Sequence, residues 1–165
     1  MCKIMKNKLL YIISFFVFVV DLVSKLFIIS NFDYNSSVTI INKFFYINFV
    51  KNEGGAFSIL SGNVIFIIIV TLIVFIFIYN YVRNRDLKLL EKVGYGLIMG
   101  GAFGNLFDRV IYGYVIDFFD IYIFGYDFPV FNIADSGIVI GVIILIISEV
   151  SGKNEDKSRR KIKNR

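Results

Sequence analysis

Four apolar segments of 19 to 21 residues, at 9–29, 64–82, 93–111 and 130–150, constrain this chain more than any other feature. A helix rises about 1.5 Å per residue, so each segment is long enough to cross the roughly 30 Å hydrocarbon core of a bilayer. The second is the purest, "NVIFIIIVTLIVFIFIYNYV", and carries no charge at all. Hydrophobic residues make up 57% of the 165 positions and the mean hydropathy is +0.72, more apolar surface than a soluble domain of this length needs. The first segment has the basic flank of a signal peptide. It lacks a small-residue cleavage site and three further spans follow, so it reads as an uncleaved helix.

Lysine and arginine set the orientation. Three precede the first span, four lie in 83–92 and seven follow Val150, together 14 of the 18 in the chain. The segments 30–63 and 112–129 hold only Lys43 and Lys51. The positive-inside rule then puts both termini and the 83–92 loop in the cytoplasm and two loops outside. The net charge of +5 is a topology signal, and no nucleic-acid partner is needed to explain it. The tail 151–165 reads as a disordered basic segment beside anionic lipid. The expected fold is an all-α membrane protein: four transmembrane helices in one domain, 1–150, with a small extracytoplasmic β-sheet and an outer loop. The sheet is expected from 38–50, "VTIINKFFYINFV", rich in β-branched and aromatic residues. The loop 112–129 is acidic and aromatic, suited to the headgroup layer and to a role as a lid.

With no histidine and one cysteine, Cys2, the chain has no internal disulfide and lacks the usual ligands of a transition metal. A metal held by carboxylates alone stays open; no metal or cofactor is expected at the functional site.

Several spans carry charge where lipid would not accept it, so these groups should face the bundle interior. Asp21 and Lys25 are four residues apart on one helix face, able to pair. Asn105, Asp108 and Arg109 share a face of the third span, with Asp108 and Arg109 expected to serve as an interior or interfacial pair. Asn132 and Asp135 fall in the first two turns of the fourth span. Asp117 lies just beyond the third, and Asn52 in the first outer loop. All converge on one depth, near the outer water–lipid boundary. Gly96, Gly100 and Gly104 recur every four residues, a stripe that lets another helix approach closely.

Asp117 and Asp135 have no basic residue between them in sequence. Two carboxylates brought to one point cannot both ionise cheaply, so one keeps a proton and the other stays charged. That is what an aspartic protease needs: the charged member draws a proton from water, and the protonated member hydrogen-bonds the peptide carbonyl. A proton- or ion-relay carboxylate in a small transporter competes with this reading, as does a non-enzymatic membrane scaffold.

The stretches "DLVSK" (21–25), "NEGGAFS" (52–58), "GGAFGNLFDR" (100–109), "VIDF" (115–118) and "FNIADS" (131–136), in this order and topology, resemble the bacterial lipoprotein signal peptidases, or signal peptidase II. The resemblance covers the chain from Asp21 to about Gly141. It implies a membrane aspartic endopeptidase of the bacterial cytoplasmic (inner) membrane that cuts diacylglyceryl-modified prolipoproteins just before the lipidated cysteine. Asp117 and Asp135 would be its catalytic pair. Asn52, Gly101, Asn105, Arg109, Asn132, Asp21 and Lys25 would support the site or the substrate. The resemblance also implies inhibition by globomycin and a monomer that suffices. Gly55 replaces the family's usual alanine and Leu22 its common glutamine; neither change removes a catalytic group.

Overall fold

The computed structural model describes residues 7–54 and 62–163, with side chains through residue 151. Gly55, the rest of the "NEGGAFS" stretch after it, and Cys2 lie outside the described residues. In chain order the elements are α1 (Lys8–Asn31), β1 (Ser37–Ile41), β2 (Phe45–Asn52), α2 (Val64–Arg83), α3 (Leu89–Tyr112), β3 (Val115–Ile123), β4 (Tyr126–Phe131) and α4 (Ile133–Lys163).

α3 stands between α1 and α4, and its glycines are the reason it fits. A Cβ at Gly96 would come within 2.9 Å of Ile13, and one at Gly100 within 2.5 Å of the Ser14 carbonyl, both on α1. On the other side a Cβ at Gly94 would meet Leu145 at 2.7 Å, and Gly141 of α4 faces the Gly94 carbonyl. The stripe expected to admit one helix is therefore one of two glycine faces, and α3 is wedged between two partners. α2 is peripheral. Of its residues only Val82 is buried, and its side chains are apolar all round, as a helix bathed in lipid should be.

Among the described residues three helices are long and apolar enough to cross a membrane: Lys8–Asn31, Val64–Arg83 and Ile133–Ser151. α3 falls short because glycines and Glu91, Lys92, Asp108 and Arg109 dilute its hydropathy. Its glycine faces are the ones that α1 and α4 cover.

The four strands form one antiparallel sheet in the order β1-β2-β3-β4. The sheet expected from 38–50 supplies only its first half. Residues 112–129, expected to be a free loop, instead supply β3 and the start of β4. The fourth helix accordingly begins at Ile133, after β4, and its backbone stays helical through Lys163 in the segment expected to be disordered. Ile28, Phe49, Ile116 and Phe118 form a buried cluster that fastens the sheet to the bundle, with Tyr112 and Ile133 packed against it. A second cluster of Leu10, Val82 and Leu87 closes the far end.

Candidate active site

The polar residues gather where the sheet meets the bundle. Asp117 sits on β3 and is 2% exposed. The register pairs Val50 with Asp117 and Asn52 with Val115, which brings the Asn52 side chain to the Asp117 carboxylate, Nδ2 to Oδ2 at 2.9 Å. The Asn52 carbonyl oxygen accepts the Gly54 N–H at 2.9 Å, so the amide is held from both ends.

Asp135 is placed by a helix cap. The sequence reading put Asn132 inside the fourth helix; the structure makes it the residue before the helix. Its Oδ1 accepts the Asp135 N–H at 2.9 Å, and the Asp135 Oδ2 accepts the Asn132 N–H at 3.2 Å. This is a reciprocal capping box, which satisfies donors that a helix start leaves bare. The three-residue spacing thus reflects a cap. Asp21 of α1 satisfies the neighbouring donor, accepting the Ala134 N–H at 2.8 Å.

Asn132 also joins the two acids. Its Nδ2 donates to Asp117 Oδ1 at 2.6 Å and reaches Asn105 Oδ1 at 3.1 Å. The Asn105 Nδ2 donates to Asp135 Oδ1 at 2.8 Å. Each Asp117 oxygen receives an amide N–H, and among the described residues no salt bridge reaches the carboxylate. Burial first, then the charge of Asp135, push the Asp117 carboxyl from 3.8 up to about 7; the Asn52 and Asn132 hydrogen bonds and the Lys25 charge oppose this without cancelling it.

Beneath the acids lies a buried ion cluster. Lys25 contacts Asp21 at 2.7 Å, Asp108 at 2.9 Å and Asn105 Oδ1 at 3.0 Å. The Asp108 carboxylate also accepts the Ile116 N–H at 3.1 Å. The cluster therefore grips the backbone one residue before each acid, at Ile116 and at Ala134.

The expected Asp108–Arg109 pair is not made. Adjacent helix residues point about 100° apart. Asp108 turns to Lys25 on α1, while Arg109 donates to the Gly54 carbonyl at 2.7 Å and the Asn105 carbonyl at 3.3 Å. Arg109 remains close enough for its charge to act on Asp135 and Asp117. Gly101 contributes no polar group; it lies against the Ala134 carbonyl, where any side chain would block the first turn of α4. Asp108 is the site residue the sequence reading undervalued, although its spacing from Asn105 already put it on the inward face. Among the described residues, no three His, Cys, Asp or Glu side chains gather as a metal-ligand set.

A bundle of apolar helices closed by a small sheet, with two amide-linked carboxylates at the junction, defines a membrane protein built around an acid pair. A family model described as signal peptidase (SPase) II matches residues 13–151. Two solved structures, each described as a bacterial membrane enzyme determined by the in meso method, are similar. One is 39% identical, with a TM-score of 0.82 over 87% of this chain and 88% of the other. The second is 41% identical, with a TM-score of 0.75 over 83% of this chain and 89% of the other. The chain belongs to the signal peptidase II family, the membrane aspartic peptidases that process lipoprotein signal peptides.

Proposed function

We propose that Asp117 and Asp135 are the catalytic dyad of this peptidase. The observation that carries the reading is the single amide of Asn132, which hydrogen-bonds Asp117 while its own backbone and carbonyl cap Asp135. The fully buried Asp117 holds a proton, in keeping with its raised pKa. Asp135 takes a proton from a water molecule, whose oxygen adds to the scissile carbonyl carbon. Asp117 donates a hydrogen bond to the carbonyl oxygen. The C–N bond then breaks, the amine leaves with a proton returned from the dyad, and the new carboxyl stays on the signal peptide.

The substrate is a diacylglyceryl-modified prolipoprotein, cut just before the lipidated cysteine. Its signal peptide and acyl chains stay in lipid while water reaches the dyad from the sheet side. Asn52, Asn105 and Asn132 orient the acids, Asp21 and Lys25 hold the helix that carries Asp135, and Arg109 fixes the turn after β2. Globomycin would compete for the same site. α3 also crosses the membrane, which makes four spans in all, residues 1–150 act as one domain with a basic tail at 151–165, and a monomer suffices. Both termini face the cytoplasm of a bacterial cytoplasmic membrane.

The test is cleavage of a diacylglyceryl-modified precursor in vitro. Asp117→Asn and Asp135→Asn should each abolish release of the signal peptide while the protein stays folded in the membrane. Full activity in either variant sinks the dyad.

A further inference from the structure

The two ends of the sheet differ in character. One end, where β2 finishes and β3 starts, carries Asn52 and Asp117. At the other, the β1–β2 and β3–β4 turns lie side by side, since Phe45 pairs with Ile121 and the Tyr122 N–H donates to the Phe44 carbonyl at 2.8 Å. This second end displays Ile41, Phe44, Ile123, Phe124 and Tyr126, all exposed, and Phe124 is fully so. Lys43 stands among them, also exposed. Neither turn, 41–44 or 123–126, contains an acidic residue.

Both turns also break a local backbone preference. Lys43 has φ 62° and Phe124 has φ 50°, in the left-handed region that favours glycine or asparagine. Phe124 precedes Gly125, with φ 81°, in a two-residue hairpin turn where asparagine or aspartate would be the ordinary first residue. Here the backbone bears strain to hold a benzyl group out at the tip. Such violations of local rules concentrate where a residue serves something beyond folding.

The buried cluster that fastens β3 to the helices uses Ile116 and Phe118. Asp117 to Phe124 is seven steps of strand, about 23 Å at ~3.3 Å each, so the turns extend well away from that attachment. The helices that carry the sheet also keep it beside a bilayer. Aromatic and aliphatic side chains with one lysine are the composition of an interfacial contact, the rings among headgroups and the ammonium on phosphate.

We infer that this end of the sheet is a membrane anchor: Phe124 and its apolar neighbours enter the headgroup layer of the leaflet on the sheet's side, and Lys43 binds a lipid phosphate. The anchor pins the far end of β3 and so fixes the height of Asp117 relative to the bilayer. The inference requires that the helices span a membrane; it does not depend on the chemistry assigned to the acids.

The chain has no tryptophan, so Phe124→Trp provides a single fluorophore at the tip. The protein is reconstituted in vesicles of zwitterionic lipid, with and without an anionic phospholipid. Lipids brominated at shallow acyl positions should quench the tryptophan, and aqueous iodide should quench it at least several-fold less than free tryptophan. Adding Lys43→Gln should reduce the lipid quenching in the anionic vesicles. Strong iodide quenching with none from brominated lipid would put the tip in water and overturn the anchor. Shielding from both quenchers would mean a protein partner and overturn it equally. Quenching indifferent to Lys43→Gln in anionic vesicles would remove the phosphate contact.

Discussion

Asp117 and Asp135 receive similar amide hydrogen bonds, and burial is what separates them. A carboxyl raised to about 7 is still protonated where the unfolded chain, near 3.8, has ionised. The folded state therefore binds the extra proton between those values. The stability this contributes is full below 3.8 and is lost as pH rises through about 7. Thermal unfolding across that window should show the decline, and Asp117→Asn should flatten it. Cleavage should have an alkaline limb near the same pH. Asn52→Ala removes a hydrogen bond that favours the charged form, so it should move that limb to higher pH; an unmoved limb in a pH–rate profile would refute the role of Asn52. Lys25 is 1% exposed between two carboxylates. Lys25→Met leaves both acids unpaired and should cost about 3–5 kcal/mol in thermal unfolding, along with cleavage. At this scale the sequence was informative. The residue types and spacings marked Asp21, Lys25 and Asp135 as inward groups, because unpaired charge in an apolar run is costly, while Asp117 was read as lying just beyond the third span. The partner of Asp108 was not legible, since a helix face does not say which neighbouring helix it meets.

The elements fit by glycine contact and by caps. The Gly100 position has no room for a methyl group, because the obstacle is the Ser14 backbone carbonyl. At Gly137 the nearest atom would be Val17 Cγ1 at 3.3 Å, the end of a side chain that can give way. Gly100→Ala should therefore destabilise by about 1–3 kcal/mol, while Gly137→Ala should cost under ~1 kcal/mol because alanine also favours the helix. Equal losses in thermal unfolding would mean that the α1–α3 contact is looser than described. Helices α1 and α2 were readable to within two residues, since lipid demands long unbroken apolar runs. β3 was not. "VIDFFDIYI" buries residues on both faces near its start, so it lacks the alternation that marks a half-exposed strand. The start of α4 was misjudged for a related reason: Val130 and Phe131, the end of β4, are apolar enough to pass for the first turn of a span, and only the Asn132–Asp135 cap marks the true beginning.

Across the whole molecule, the acids meet because three non-adjacent parts of the chain close on one point: the end of β2, the start of β3 and the start of α4. The direction of each span led to the expectation of a common depth, whereas the network joining the acids depended on packing. The proposed orientation has a direct check. In a Cys2→Ser background, Asn84→Cys should react with a membrane-impermeant thiol reagent only from the cytoplasmic side, and Asp33→Cys, exposed just after α1, only from the opposite side. The reverse pattern would invert the topology. One further consequence lies in the joint between sheet and bundle. β4 ends at Phe131 and α4 begins at Ile133, so Asn132 alone connects them. Such a joint has no slack and behaves as a phase lock. A residue inserted after Phe131 would turn α4 by about 100° relative to β4, swinging Asp135 out of step with Asp117. An insertion at the hairpin tip would be absorbed locally. Chain length is thus free to drift at the edge of the sheet and frozen at its hinge with the membrane helix.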